Sequence, residues 1–121
     1  MEKQTKKGKA FVNEYDAFKK SSGAYGGSLA ILEDAQLSSQ SKILFHIIAS
    51  YCYVEGYCFA SNKTLVSKLG LGKTRLHTYL LELETNRLIR TNQIATDNGP
   101  RRHIYLDFEG LRKRYKKAMK A

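Results

Sequence analysis

The 121-residue sequence contains no long hydrophobic run. No segment approaches the roughly 20 apolar residues that a membrane-spanning helix requires. The first residues, MEKQTKKGKAF, are basic but lack the apolar segment of a secretory signal. We therefore expect no membrane association and a cytoplasmic protein. Internal repeats and low-complexity tracts are also missing, and the length favours one small domain.

Cysteines are few. Cys52 and Cys58 are the two in the chain, and both lie in the apolar stretch YCYVEGYCFA, which predicts buried free thiols rather than a disulfide. A zinc site needs about four ligands. The nearby sequence offers these two cysteines and the isolated His46 and His77, so we expect no metal site and no cofactor.

Acidic residues are scarce relative to basic ones. The chain has 11 Asp plus Glu against 21 Lys plus Arg, which gives a formal net charge of +10. A positive excess of this size attracts polyanions, so nucleic acid and anionic membrane surfaces are the candidate partners. Charge alone does not choose between them, and the positions of the charges must be considered.

The N-terminal third gives weak structural signals before a clear helix. Residues 1–27 consist of polar and glycine-rich segments around FVNEYDAF, which predicts a basic, partly flexible arm. Residues 28–32, SLAIL, are expected to form a short strand. Apolar residues then recur at helical spacing behind a serine cluster, which predicts a core helix over residues 39–53. These residues are Ile43, Leu44, Ile47, Ile48 and Tyr51.

The middle of the chain predicts a helix-turn-helix. Residues 57–60, YCFA, have strand-forming residues, and Ser61 is a good N-cap for the helix NKTLVSKLG, which ends at Gly70. After Gly72, the segment KTRLHTYLLELET returns to helical spacing. Two short helices around a tight turn that contains glycine form this motif.

The C-terminal third predicts a hairpin and a basic helix. The segments RLIRTNQI and RRHIYL surround the turn signal TDNGP, as in two antiparallel strands. Residues 107–121 are strongly basic, and Leu111, Tyr115 and Met119 form their apolar stripe at four-residue spacing.

The stretch SKLGLGKT resembles a nucleotide-binding loop, but three observations argue against that interpretation. The motif requires a glycine at the position of Ser67, so that backbone amides can surround the phosphates. The preceding residues have helical rather than strand periodicity. The chain is also too short for the usual alternating α/β sheet. We therefore expect no catalytic residues and no enzymatic activity.

Two local signatures carry a family resemblance. Residues 57–70 combine an aromatic strand with Ser-x-x-Thr-Leu and Leu-Gly, and residues 80–89 read Leu-x-Glu-Leu-Glu and end in Leu-Ile. Over residues 37–106 the sequence resembles helix-turn-helix domains of plasmid and phage replication initiators and related regulators of Gram-positive bacteria.

The resemblance implies a mostly helical α+β fold. It is a winged helix-turn-helix with a three-helix core, a C-terminal β-hairpin wing, a short N-terminal strand and a basic C-terminal helix. The DNA-binding domain would span residues 28–106, between the arm of residues 1–27 and the tail of residues 107–121.

By the same resemblance, the helix after Gly72 is the recognition helix, whose exposed residues enter the major groove. The wing would contact phosphates or the minor groove, and the start of the preceding helix would contact a phosphate. An ordinary solvated helix face and a charged strand edge that preserves solubility are the alternatives. The expected DNA-binding residues are Asn62, Lys63, Lys73, Thr74, Arg75, His77, Thr78, Asn98, Arg101 and Arg102.

The expected function is sequence-specific binding of double-stranded DNA by a transcriptional regulator of a plasmid, phage or conjugative element. Binding as a homodimer or in several copies is expected, and Leu81, which faces away from the core, is a candidate subunit contact. One alternative is a replication-initiation or conjugative DNA-processing accessory, whose arm or tail recruits a replication or transfer protein. Another is an adaptor that uses the same fold to bind an acidic protein.

Overall fold

The computed structural model describes residues 4–20 and 26–115. In chain order, the elements are α1 (Lys6–Lys20), α2 (Gly26–Leu32), α3 (Ser39–Ser50), α4 (Asn62–Leu69), α5 (Lys73–Thr85), β1 (Ile89–Thr96), β2 (Gly99–Leu106) and α6 (Phe108–Arg114).

Helices α3, α4 and α5 form the predicted three-helix core. Ser38 and Ser61 cap the first two, because each side-chain oxygen accepts a backbone N–H three residues later. The helix predicted over residues 39–53 is correct in position but ends at Ser50, and Ile43 lies exposed beside the buried stripe rather than within it. The fully buried side chains of these helices include Leu44, Phe45, Ile48, Leu65, Leu76 and Leu83.

The tight turn between α4 and α5 forms where the sequence predicts it. Gly70 ends α4 in the left-handed conformation, with φ at 74°, and its N–H donates to the carbonyl of Val66. A glycine adopts this conformation without a steric penalty. Gly72 is the N-cap of α5, so the three residues from 70 to 72 connect the two helices.

Strands β1 and β2 form an antiparallel hairpin, with register from Ile89 opposite Leu106 to Thr96 opposite Gly99. The first strand begins two residues later than the segment RLIRTNQI suggests. Arg87, in the connection after α5, has a positive φ of 62°, whereas a strand requires a negative φ. The strand predicted over residues 57–60 is reduced to a bridge between Cys58 and Ile104. The helix-turn-helix followed by this hairpin is a winged helix-turn-helix fold, as predicted.

The expectation of a flexible arm is wrong over residues 6–20, which form α1 and pack on the core. Phe11, Tyr15 and Phe18 recur at spacings of four and three residues, so they share one helix face, and all three are buried. The ring centroid of Phe11 lies 5.6 Å from that of Tyr53 and 5.8 Å from that of Phe108. Helix α1 therefore packs against both the turn after α3 and the start of α6.

The short strand expected at residues 28–32 is instead the C-terminal part of α2, with Ile31 fully buried and Leu32 exposed. Alanine and leucine are strong helix formers, and tertiary packing decides the conformation of such short apolar runs.

The predicted C-terminal helix is confirmed for residues 108–114. Asp107 caps α6, because its carboxylate accepts the N–H of Gly110 at 2.9 Å. Leu111 and Tyr115 are buried, as their spacing predicts, whereas Met119 lies outside the described residues.

Both cysteines are buried and free. Burial raises the pKa of each thiol. Within residues 4–20 and 26–115, no helix is both long enough and apolar enough to cross a membrane.

Candidate nucleic-acid interface

Helix α5 separates a packing face from an exposed face. Leu76 and Leu83 are buried toward the core, and Tyr79 and Leu80 are half-buried beside them. The five side chains predicted to contact DNA from this helix are exposed, and the structure brings them together over the first two turns. They are Lys73, Thr74, Arg75, His77 and Thr78.

A groove of about 380 Å³ runs along the start of this exposed face. Lys73, Thr74 and His77 line one side, and Asn62 and Arg102 lie across from them. The groove therefore combines residues of α5, of α4 and of the hairpin. We call it the recognition groove.

A second groove, of about 480 Å³, lies between the hairpin and the start of α4. Asn98, Gly99 and Arg101 contribute from the hairpin, and Ser61 contributes from the α4 N-cap. Asn62 and Arg102 line both grooves, so the two grooves meet at these side chains. We call the second one the wing groove.

The two neighbouring wing arginines occupy different environments. Arg102 is half-buried, and its Nη2 donates to the carbonyl of Ala60 at 3.1 Å, just before the α4 N-cap. Burial lowers the pKa of Arg102, but an arginine remains charged at neutral pH. Its guanidinium is thus a fixed positive charge where the grooves meet, rather than an exposed group at the hairpin tip as expected from the sequence.

Arg101 projects from the opposite face of β2, because successive strand residues point to opposite sides of a sheet. It is exposed, and its guanidinium carbon lies 5.8 Å from the centroid of the Phe59 ring. Arg101 and Arg102 thus differ in orientation and burial, although both line the wing groove. Counting by twos from the buried Ile104 would have assigned Arg102 to the inner face.

The α4 N-terminus contributes its predicted residues to different degrees. Asn62 is half-buried, and among the described residues its Oδ1 atom is buried without a hydrogen-bond partner. Lys63 is exposed. Of these two residues Asn62 lines both grooves and Lys63 lines neither.

The positive face of α5 has a defined end. No acidic residue occurs from Lys73 to Leu81. Glu82 turns back toward the core and accepts hydrogen bonds from the N–H and hydroxyl of Ser38, at 3.0 and 3.1 Å. Burial opposes ionisation of Glu82, but hydrogen bonds from Ser41 and Ser38 outweigh that effect and lower its pKa.

Glu84 is exposed, and its carboxylate accepts a hydrogen bond from the hydroxyl of Thr91 at 2.9 Å. This carboxylate would repel phosphates that approach the last turn of α5. The surface suited to a polyanion therefore extends from Lys73 to the third helical turn.

Sequence reasoning missed two polar residues of the wing groove. Gln93 and Thr96 line it from β1, and Gln93 pairs in register with Arg102. The same two-residue alternation that places Arg102 on the inner face, counted from the buried Ile89, would have placed Gln93 there as well.

One family comparison bears on this surface. Residues 35–89 match the family model of a helix-turn-helix domain. The match includes α3, α4 and α5 and ends at the first residue of β1, so α1 and most of the wing lie outside it. No curated protein sequence matches the chain. Over these three central helices the chain is similar to a helix-turn-helix domain, and this likeness supports DNA binding.

Proposed function

We propose that the protein binds double-stranded DNA sequence-specifically through α5 and the two grooves. The observation that carries the proposal is the exposed face of α5, which has no acidic residue from Lys73 to Leu81. This face continues into the recognition groove and the half-buried charge of Arg102. In a helix-turn-helix, the start of the second helix enters the major groove. The proposed reading surface starts there.

Each group has a role that suits its chemistry. Arg75 would form paired hydrogen bonds to guanine, which is a common specific contact of arginine. Lys73 would bind a phosphate from the recognition groove, and the exposed Lys63 would bind one at the start of α4. Arg102 would attract the DNA backbone that lies over the junction of the grooves, and the exposed Arg101 would contact phosphates along the wing groove.

We propose a non-enzymatic role as a transcriptional regulator of a plasmid, phage or conjugative element, bound as a dimer or in several copies. The resemblance of residues 37–106 to regulators and initiators of such elements supports it. A replication or transfer accessory would use the same DNA-binding surface, and an adaptor that binds an acidic protein would not need a duplex at all.

Duplex binding itself is tested by fluorescence anisotropy with a random-sequence duplex at low and moderate salt. We expect measurable binding at low salt that weakens as salt rises, because phosphate contacts release counterions. Selection from a random duplex library then tests specificity. If the chain fails to bind any duplex at low salt, the DNA-binding proposal is wrong and the protein-adaptor alternative is favoured.

The Arg75→Ala variant is expected to weaken binding to a selected site by about 1 to 3 kcal/mol. Binding to a random duplex should change much less, because the lost contact is to a base. Arg112→Ala is the matched control, since Arg112 carries the same charge on α6, where it pairs with Glu14 at 2.9 Å. An equal loss in the two variants would contradict the base-reading role of Arg75.

The Glu84→Gln variant is expected to bind every duplex more tightly, by about 2- to 5-fold at low salt, because it removes a carboxylate that repels phosphates beside the reading surface. The glutamine can still accept the Thr91 hydrogen bond. Glu109→Gln on α6 is the control and should leave affinity unchanged. Competition anisotropy at two salt concentrations measures both, and no gain for Glu84→Gln would place the DNA away from the last turn of α5.

A further inference from the structure

The outermost line of α5 is rich in methyl groups rather than charges. Thr74, Thr78 and Leu81 follow each other at spacings of four and three residues, which places them within about 60° of one another around the helix axis. All three are exposed, and Leu81 is 54% exposed. They lie opposite the buried Leu76 and Leu83, while Arg75 lies to one side.

The hydroxyl of Thr78 already has a partner. Its Oγ1 donates to the carbonyl of Thr74 at 3.2 Å, so its hydrogen is not available to a base. Leu81 has no hydrogen-bonding group. The outer line of the helix therefore presents apolar carbon atoms and few free hydrogen-bond donors. It suits a ligand that presents an apolar group to this line.

In the major groove, the C5 methyl group of thymine is the apolar group that unmodified base edges present. Leu81 also precedes the acidic end of α5. The carboxylate of Glu82 is directed to Ser38, and the exposed carboxylate of Glu84 comes three residues after Leu81. Leu81 therefore belongs to the part of the helix that a duplex can approach. Removing the apolar surface of an exposed leucine from water is favourable and would stabilise the complex.

We propose that Thr74, Thr78 and Leu81 contact thymine methyl groups, so that the bound site contains A·T pairs facing α5. The proposal rests on the proposed duplex binding and names the bases that this surface selects. It assigns Leu81 to DNA rather than to a second copy of the chain.

The test uses the full chain and a duplex selected from a random library. Each thymine in turn is replaced by uracil, which removes the C5 methyl group and keeps base pairing. At one or more positions facing α5, we expect uracil to weaken binding by about 3- to 10-fold, the effect of losing one buried methyl contact. Leu81→Ala should weaken binding to the thymine duplex by a similar factor. This variant should no longer distinguish uracil from thymine at the base that Leu81 contacts.

Three further variants isolate the contact. Leu32→Ala removes a leucine of similar exposure, 51%, from α2 and should leave DNA affinity unchanged. Thr78→Ser removes the methyl group and keeps the hydroxyl, so it should reduce the preference for thymine. Thr78→Val keeps a methyl group at this position and removes the hydroxyl, so it should retain the preference.

The outcomes separate the two proposals. If no duplex binds, the proposed function fails. If duplexes bind but uracil equals thymine at every position, the methyl contact is overturned and duplex binding stands. If Leu81→Ala weakens thymine and uracil duplexes equally and dissociates a dimer in sedimentation experiments, Leu81 is a subunit contact and its assignment to DNA is overturned. The uracil series with the unaltered chain tests the thymine methyl contact even if a variant folds poorly.

Discussion

Replacing Phe11 with alanine is expected to lower the free energy of unfolding by about 3 to 4 kcal/mol. The side chain is buried, and its ring packs against Tyr15, Tyr53 and Phe108, which come from three different parts of the chain. Its removal leaves a cavity between α1 and the core. Because a small domain is stabilised by about 5 to 15 kcal/mol, this is a large share of the total.

Urea denaturation followed by circular dichroism measures this change. Asn13→Ala is the matched control, because Asn13 is exposed on the same helix, and it should change stability by less than about 0.5 kcal/mol. A Phe11→Ala variant that unfolds within 1 kcal/mol of the unaltered chain would mean that α1 contributes little to the core and acts as the arm that its composition suggests.

Periodicity and local caps predicted the central elements because their signals are local. The serines at 38 and 61 lie directly before α3 and α4, and Gly70 and Gly72 mark the turn before α5. The alternation after Arg87 and the turn signal before Gly99 define the hairpin. Each of these signals depends on residues a few positions apart, so the sequence locates these elements to within about three residues.

The spacing of Phe11, Tyr15 and Phe18 is a local signal for helix α1, but the residues that bury this helix are distant in sequence. Polar and glycine-rich stretches lie on both sides of the segment that contains Phe11 and Tyr15. Their partners Tyr53 and Phe108 lie in segments that periodicity does not connect with them. Gly8 shows the same limit. An added Cβ there would collide with the carbonyl oxygen of Val54, a close approach that becomes visible only in the folded chain.

The candidate site was predicted unevenly for a related reason. The exposed side of α5 follows from helical spacing, so its residues were assigned correctly to one surface. Arg102 was expected at an exposed tip, although alternation from Ile104 places it inside, where it binds the carbonyl of Ala60. That these residues contact DNA stays a prediction, since exposure and charge describe a surface without its ligand.

A second large effect is expected from the charged cluster that joins α6 to the segment after α2. Arg114 Nε lies 2.7 Å from the Asp34 carboxylate, and the Tyr115 hydroxyl donates to the same oxygen at 2.8 Å. The Asp34 side chain is 10% exposed. Asp34→Ala should lower the free energy of unfolding at pH 7 by about 2 to 4 kcal/mol, because it leaves Arg114 partly buried without its carboxylate.

Asp16→Asn is the matched control, since the half-exposed side chain of Asp16 pairs with Lys19 at 3.5 Å and such surface pairs contribute little. Thermal or urea unfolding at pH 7 measures both variants. If Asp34→Ala unfolds within about 0.5 kcal/mol of the unaltered chain, the remaining partners of Arg114, Asn86 and Gln36, are sufficient to satisfy it.

The pH dependence of the same pair follows from the direction of the Asp34 pKa. Burial opposes ionisation of this carboxyl, but hydrogen bonds from Arg114, Tyr115 and the Gln36 amide outweigh it and hold the pKa below its ordinary value of 3.8. The unfolded chain therefore binds a proton at higher pH than the folded chain does, and the stability from Asp34 is fully present above that range. It is lost as pH falls through the folded pKa. The difference in unfolding free energy between the unaltered chain and Asp34→Ala should thus be constant from pH 7 to 5 and shrink below about pH 4.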